Sequence, residues 1–152
     1  MNKIMFEMGA WGLGSYQFYA NIDKDNIVDY EIDKRIFKDN EIEEGSISGK
    51  LDRNKSYLFI DFIEKADINN INELVDQQSI DQMCLDGASF SITSFKYGNA
   101  SWNDYEELEN MHYIYLAISL CDEDMADILL GHQDNLSSDI KDAIKGLGLK
   151  IS

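Results

Sequence analysis

The chain has 152 residues, of which 44% are hydrophobic and 11% aromatic, and its 29 acids against 13 bases give a formal charge of −16. This length suits one domain spanning residues 1–152, and the apolar and aromatic content excludes an intrinsically disordered chain. The scarcity of Lys and Arg argues against direct binding of nucleic acid, because clustered basic side chains are needed to neutralise phosphates.

The apolar stretches and the cysteines predict a cytoplasmic protein. Glu7 interrupts the first apolar run before it reaches the length of a signal-peptide core, and residues 113–121, the longest apolar stretch, are under half of the roughly 20 residues that a membrane helix needs. Cys84 and Cys121 form neither a CxxC motif nor a zinc-binding pattern. We expect both to be reduced and at least partly buried, with a disulfide between them as the alternative.

The first 65 residues are predicted to be mostly strands. Residues 2–8 and 15–22 are apolar, aromatic segments separated by a glycine-rich turn, which indicates an opening β-hairpin. Residues 27–32 and 46–51 are shorter candidate strands. Residues 56–63 form a stronger one, because they combine aromatic and β-branched side chains.

Beyond residue 65 the pattern changes mainly to helices. Apolar residues within 67–83 recur at helical spacing, whereas residues 90–95 alternate as in a half-buried strand. A capping-box pattern beginning at Ser101 predicts the start of a helix. Residues 112–120 suit either a strand or a buried helix, and we favour the strand.

Two further helices are predicted near the end of the chain. The acidic run 122–124 favours the first turn of a helix that Gly131 would end. The other helix is expected at about 137–145. Together these segments predict an α+β fold, a single domain with N-terminal antiparallel strands and with helices mainly in the C-terminal half.

The negative charge is concentrated in one part of the chain. Between Lys96 and Lys141 there is no Lys or Arg, and this interval holds ten acids. A milder cluster, residues 23–44, has nine acids against four bases. Because a typical surface intersperses both signs, the base-free interval is the best candidate for a functional surface. The alternative is a set of ordinary solvated helix faces.

We predict a partner-binding site in this interval, where acids would meet basic groups and aromatic side chains would anchor the contact. The alternative for the aromatic residues is a place in the core. The predicted acids are Asp104, Glu106, Glu107, Glu109, Asp122, Glu123, Asp124 and Asp127, and the predicted aromatic residues are Trp102 and Tyr105, with Tyr113 as a further candidate.

The sequence contains no convincing catalytic, metal or cofactor motif. Asp23 begins a run like a calcium loop, but Val28 and Lys34 occupy the positions that require Gly and Glu. Nucleotide-binding glycine loops are missing as well. His112 and His132 are the only histidines, and neither accompanies a nucleophile signature. We therefore predict no enzyme activity, no metal and no cofactor.

In size, charge and composition the whole chain resembles the immunity proteins of bacterial polymorphic-toxin and contact-dependent growth inhibition systems. The resemblance implies a cytoplasmic inhibitor that binds a cognate toxin domain, often a basic nuclease, and covers its active site. The partner would then be a basic protein, without direct contact to nucleic acid or membrane. Two alternatives stay open. One is a phage or plasmid DNA mimic, and the other is a small enzyme or ligand-binding domain with a pocket at His112 or His132.

Overall fold

The computed structural model describes residues 2–10, 14–38, 41–75, 88–103, 108–131 and 133–148. These residues form six strands, five α-helices and one 3-10 turn. In chain order the elements are β1 (Asn2–Ala10), β2 (Gly14–Ile22), β3 (Val28–Lys38), β4 (Glu41–Lys50), α1 (Arg53–Ala66), α2 (Ile68–Val75), β5 (Ala88–Ser94), β6 (Gly98–Asn103), α3 (Glu109–Ser119), α4 (Glu123–Leu130), the 3-10 turn (Gln133–Asn135) and α5 (Ser138–Gly146).

All six strands lie in one antiparallel sheet, in the order β4-β3-β2-β1-β5-β6. The predicted opening hairpin is confirmed, and it places β1 near the middle of the sheet. The hairpin between β5 and β6 closes at Gly98, which has a φ of 106° and lies against Asn69. Glycine suits this position because L side chains rarely adopt this φ, and a Cβ would also collide with the Asn69 amide.

Side chains along β1, β2, β3, β5 and β6 alternate between a buried face and a face without any buried side chain, whereas the edge strand β4 has no buried side chain. Phe6, Phe18 and Ile32 are cross-strand neighbours on the first face, and all three are fully buried. On the second face, none of the side chains in the described ranges is buried. This follows from the two-residue period of a strand, since only one set of alternate positions is apolar.

The helices cover the apolar face, with α3 at their centre. Residues 111–118 of α3 are all buried, a pattern typical of a helix surrounded on every side. The helices α1, α4 and α5 pack against α3. Towards the sheet, the Tyr115 ring lies 6.4 Å from the Phe6 ring and 5.8 Å from the Phe90 ring, measured between centroids. The strand favoured for 112–120 is therefore wrong, since a buried helix also carries uninterrupted apolar residues.

The strand predicted for 56–63 is also wrong, because these residues belong to α1. Asp52 caps the helix by accepting the backbone N–H of Lys55 at 2.8 Å, and Phe59, Phe62 and Ile63 form its buried stripe. Aromatic and β-branched side chains raise β propensity, but packing against the sheet overrides that preference. The Phe59 ring lies 6.0 Å from the ring of Phe18.

The helix start predicted at Ser101 is wrong within the described residues. Ser101 belongs to β6 and pairs with Ser91 of β5, so the sheet uses its backbone groups. Residues 104–107 lie outside the described ranges. The next helix, α3, begins at Glu109 with Leu108 as its N-cap, which makes no side-chain capping bond.

The other predicted elements agree with the structure where it describes them. The helix expected within 67–83 is confirmed as α2, and residues 76–83 lie outside the described ranges. The start of α4 at Asp122, its end at Gly131, and α5 after Ser137 are confirmed. The predicted α+β fold is thus confirmed. Among the described residues, no helix is long and apolar enough to cross a membrane.

The substitution Leu116→Ala is expected to lower the free energy of unfolding by about 2–5 kcal/mol, because it opens a cavity in the fully buried centre of α3. Urea denaturation measures the change. Tyr57→Ala, at an exposed position of α1, is the control and should change stability by no more than about 0.5 kcal/mol. Equal effects of the two substitutions would contradict the central place of α3.

Candidate functional site

The helix α4 presents three of the predicted partner-binding acids to solvent. Glu123, Asp124 and Asp127 are exposed, whereas Met125 and Leu129 of the same helix are buried. Glu123 and Asp124 lie in the first turn, where negative charge is favourable because of the helix dipole. The sequence therefore forms an amphipathic helix with an acidic outer side.

Asp122 is buried and joins the start of α4 to the sheet. Its Oδ2 accepts a hydrogen bond from the Tyr16 hydroxyl at 2.8 Å. Lys34 Nζ lies 2.9 Å from Oδ1 and 2.8 Å from Oδ2 of Asp122, and 2.6 Å from Oδ2 of Asp124. The Asp122 carboxylate also accepts the backbone N–H of Asp124 at 3.3 Å, which caps the helix.

This cluster holds its charges in place. Burial alone would lower the pKa of Lys34, but its hydrogen bonds with Asp122 and Asp124 raise the pKa above the usual value. Burial, together with the hydrogen bond to Asp122, raises the pKa of Tyr16. Lys34 is therefore cationic and Tyr16 neutral at physiological pH. In these states both side chains carry the protons that they donate to the buried Asp122 carboxylate.

Sequence reasoning missed Tyr16 and Lys34, which lie 106 and 88 positions before Asp122. One signal was present. Lys34 shares the alternate positions of β3 with the buried residues Val28 and Ile32, so it is a cation on the apolar side of a strand. Such a residue needs a buried anion nearby.

Glu109 is exposed in the first turn of α3 and lies in a second acidic group, around Tyr113. Burial raises the pKa of Tyr113, and the negative charges of Glu109, Asp139 and Asp61 raise it further. Lys65 opposes this effect, and its ammonium lies 3.0 Å from Asp61. The helical side therefore carries acids both on α4 and around Tyr113.

Trp102 lies in the core, the alternative stated from the sequence. Its ring stacks on Phe90 with centroids 5.7 Å apart, and its Nε1–H donates to the Tyr115 hydroxyl at 3.1 Å. Trp102 and Asp122 are both too deeply buried to meet a partner on the surface. The remaining predicted contact residues, Asp104, Tyr105, Glu106 and Glu107, lie outside the described residues.

Neither His112 nor Cys121, the described members of the possible Cys–His pairs, is fully exposed. His112 lies inside α3, and Cys121 is a partly buried free thiol, as expected from the sequence. Burial raises the pKa of Cys121 to about 12, so the thiol stays protonated at neutral pH. No group of three or more His, Cys, Asp or Glu in the described ranges could hold a metal ion. His132 and Cys84 lie outside these ranges.

A groove of about 810 Å³ opens on the side of the sheet away from the helices. Met5, Tyr19 and Phe95 supply its apolar lining, and Glu31 and Thr93 are among its polar residues. His112 does not line this groove. Its size falls within the range of ligand-binding clefts in proteins.

The described residues thus define an acidic α+β protein with acids on its helical side and an open face on its sheet. Comparisons with protein-family models, with curated proteins and with solved structures found no match to this chain.

Asp122→Asn is expected to lower the free energy of unfolding by about 3 kcal/mol, because it removes the carboxylate that Lys34 needs in a buried site. Asp124→Asn, at a half-exposed side chain paired with the same lysine, should lower it by about 1 kcal/mol or less. Urea denaturation of both variants gives the comparison. Equal losses would contradict the assignment of Asp122 as the buried link.

Cys121 is expected to resist alkylation by iodoacetamide in the folded protein at pH 8, since only about one thiol in ten thousand is ionised at a pKa of about 12. The measurement uses Cys84→Ser protein, so that Cys121 is the only thiol, and mass spectrometry follows the modification. In guanidinium chloride the same thiol should react rapidly. Fast modification of the folded protein would reopen a nucleophilic role for Cys121.

Proposed function

We propose that this protein is an inhibitor that binds a cognate basic protein, a toxin domain of the nuclease type, and covers its active site. The observation that carries the proposal is the exposed acidic side of α4 in a chain with a net charge of −16. A nuclease binds phosphates through Lys and Arg, and a surface of carboxylates offers those cations an alternative partner.

The attachment of α4 to the sheet supports this use of its acids. Asp122 is bonded to Tyr16 and Lys34, so the first turn of α4 is fixed before any partner arrives. Side chains on a rigid element lose less conformational entropy on binding than those of a mobile loop. Like charges held on one surface also steer a basic partner towards it, and salt weakens this attraction.

The chemistry of the described residues favours binding over catalysis. Cys121 stays protonated, and His112 is enclosed within the helical layer. A Cys–His pair that catalyses a reaction needs an ionisable thiol that a substrate can reach. Cys121 does not meet the first condition, because its thiol stays protonated.

The first experiment identifies the partner and measures inhibition. The tagged protein is captured from its host at low ionic strength, the retained protein is identified, and that protein is then purified and assayed alone. We expect a basic protein whose enzymatic activity is lost on adding one equivalent of the inhibitor. An activity unchanged at saturation would overturn the proposal, and stable binding to many unrelated DNA-binding proteins would point to a DNA mimic instead.

The double substitution Glu123→Lys and Asp127→Lys is expected to weaken binding of that partner by roughly tenfold or more, because both acids lie on the outer side of α4. Glu64→Lys with Glu73→Lys makes the same change of charge at exposed positions of α1 and α2. It is the matched control and should weaken binding much less. Affinities are measured by titration calorimetry at low and high salt.

Since Lys in the first turn of α4 also opposes the helix dipole, unfolding curves must first show that both double variants are folded. Equal weakening by the two would mean that only the total charge matters, and the α4 surface would lose its assignment. This design omits Asp122, because its substitution changes the core rather than the surface.

A further inference from the structure

The side of the sheet away from the helices carries aligned rows of polar side chains, and we call it the open face. Its rows follow from the antiparallel register, which places alternate residues of neighbouring strands side by side. The central row is Asn99, Thr93, Met5, Tyr19, Glu31 and Ser48, and the adjacent row is Ser101, Ser91, Glu7, Gln17, Asp33 and Ser46.

Apolar side chains are few on the open face, and three of them, Met5, Tyr19 and Phe95, meet at the groove of about 810 Å³. Another, Ile42 of β4, lies apart from the groove. Met5 and Tyr19 are neighbours in the central row. Phe95 stands beside them in the turn between β5 and β6, and it is fully exposed. Together the three side chains form a contiguous apolar patch with polar residues around it, and such patches mark binding surfaces, whereas a single exposed aromatic residue would not.

The bases of the open face are largely matched by acids of the same face. Arg35 Nε lies 3.3 Å from Glu44, and Lys50 Nζ lies 3.7 Å from Asp29. Both pairs sit towards the β4 edge, outside the centre of the face. Because each of these pairs is neutral, the net charge at the centre of the open face depends on the other charged residues there.

That centre has an excess of negative charge. Glu7, Asp33 and Glu31 lie in the two rows around Tyr19. With Arg35 and Lys50 already paired to other acids, Lys3 is the one further base that the described strands place on this face, and it lines the groove. Asp33 accepts a hydrogen bond from Ser46 at 2.5 Å, which holds its carboxylate on the surface. A ligand of this groove should therefore carry positive charge.

Tyr19 lies between Met5 and Glu31 in the central row. An aromatic ring next to a carboxylate is an arrangement that can bind a guanidinium group. Directly opposite residues on neighbouring strands have Cβ atoms about 5 Å apart, so a cation lying on the Tyr19 ring is within reach of the Glu31 carboxylate. A guanidinium stacks flat on an aromatic ring and donates two parallel hydrogen bonds to a carboxylate. An ammonium group has neither the plane nor the fork.

The shape of the open face favours a chain segment over a single small molecule. Two further depressions, of about 360 and 450 Å³, lie on the same face and involve Glu7, Gln17 and Asp33. Hydroxyl and amide side chains such as Thr93 and Gln17 can bond the backbone of an extended segment, whose N–H and C=O groups need partners.

We propose that the open face binds an extended, arginine-bearing protein segment, with the arginine stacked on Tyr19 beside Glu31 and an apolar residue of the segment against Phe95. Asp122 meets Tyr16 and Lys34 on the helical side, so this site lies on the opposite side of the sheet from α4. It is a second binding surface and does not depend on the toxin partner proposed above.

The test compares two peptides of equal charge, acetyl-Gly-Arg-Gly-amide and acetyl-Gly-Lys-Gly-amide, by NMR titration of the full chain. Equal charge cancels the general attraction of an acidic protein for cations. We expect the arginine peptide to shift the signals of Met5, Tyr19 and Thr93 and to bind about three- to fivefold more tightly than the lysine peptide.

Four variants separate binding from folding. Tyr19→Phe keeps the ring and should keep the preference for arginine, whereas Tyr19→Leu and Glu31→Gln should abolish it. Tyr57→Leu, at an exposed site on α1, is the matched control and should change nothing. If Tyr19→Leu fails to fold, Glu31→Gln and Tyr19→Phe still decide the result.

Shifts centred on the acids of α4, equal affinities for the two peptides, or an unchanged preference in Glu31→Gln would each overturn the open-face site. None of these outcomes bears on the toxin inhibitor, because that proposal is judged by the α4 substitutions and by the activity of the captured partner. Conversely, loss of the inhibitor proposal leaves the peptide titration interpretable.

Discussion

The sheet has one apolar face that must be kept from water, and this requirement places the described helices. Phe6, Phe18 and Phe90 cannot be solvated without a large cost, so helices collect on their side. The helix α3 fills the centre of that layer and is itself enclosed by α1, α4 and α5. On the helical side, solvent reaches the outer surface of these helices, and acidic residues lie on that surface.

An acidic protein of this kind has to hold like charges near one another without losing stability. Lys34 solves part of the problem by pairing with both Asp122 and Asp124 at a site that is mostly buried. The buried Asp122 carboxylate is fully hydrogen-bonded, because Tyr16 and the first turn of α4 supply further hydrogen bonds to it. This arrangement fixes α4 on the sheet and leaves Glu123 and Asp127 free to face outwards.

The two faces of the molecule suit different kinds of contact. The helical side offers charge on a fixed helix, which favours fast and salt-sensitive association with a basic surface. The open face offers a groove with an aromatic ring, a carboxylate and many small hydroxyl groups. Its selectivity would come from geometry at Tyr19 and Glu31 rather than from total charge.

The fold class, the opening hairpin and the ends of the last helices could be predicted from the amino-acid sequence, because they depend on local signals. The apolar, aromatic segments 2–8 and 15–22 with the glycine-rich turn between them, the capping acid Asp122 and the glycine at 131 act within a few residues of the structure they specify. The acidic side of α4 could also be predicted, since charge and helical period are both written in the chain. Apolar composition alone was not sufficient for 56–63 and 112–120, because a buried helix and a buried strand use the same residues.

Which acids and aromatic residues are buried depends on contacts between distant parts of the chain. Asp122 is an acid like its exposed neighbours Glu123 and Asp124, yet it is bonded to Tyr16 and Lys34 from distant strands. Trp102 is enclosed by Phe90 and Tyr115, which also come from other parts of the chain. The open-face rows also depend on the order and register of strands far apart in sequence, so the meeting of Met5, Tyr19, Glu31 and Phe95 had no local signal. The burial of a side chain depends on residues that are distant in sequence, so it cannot be predicted from the few residues on either side of it.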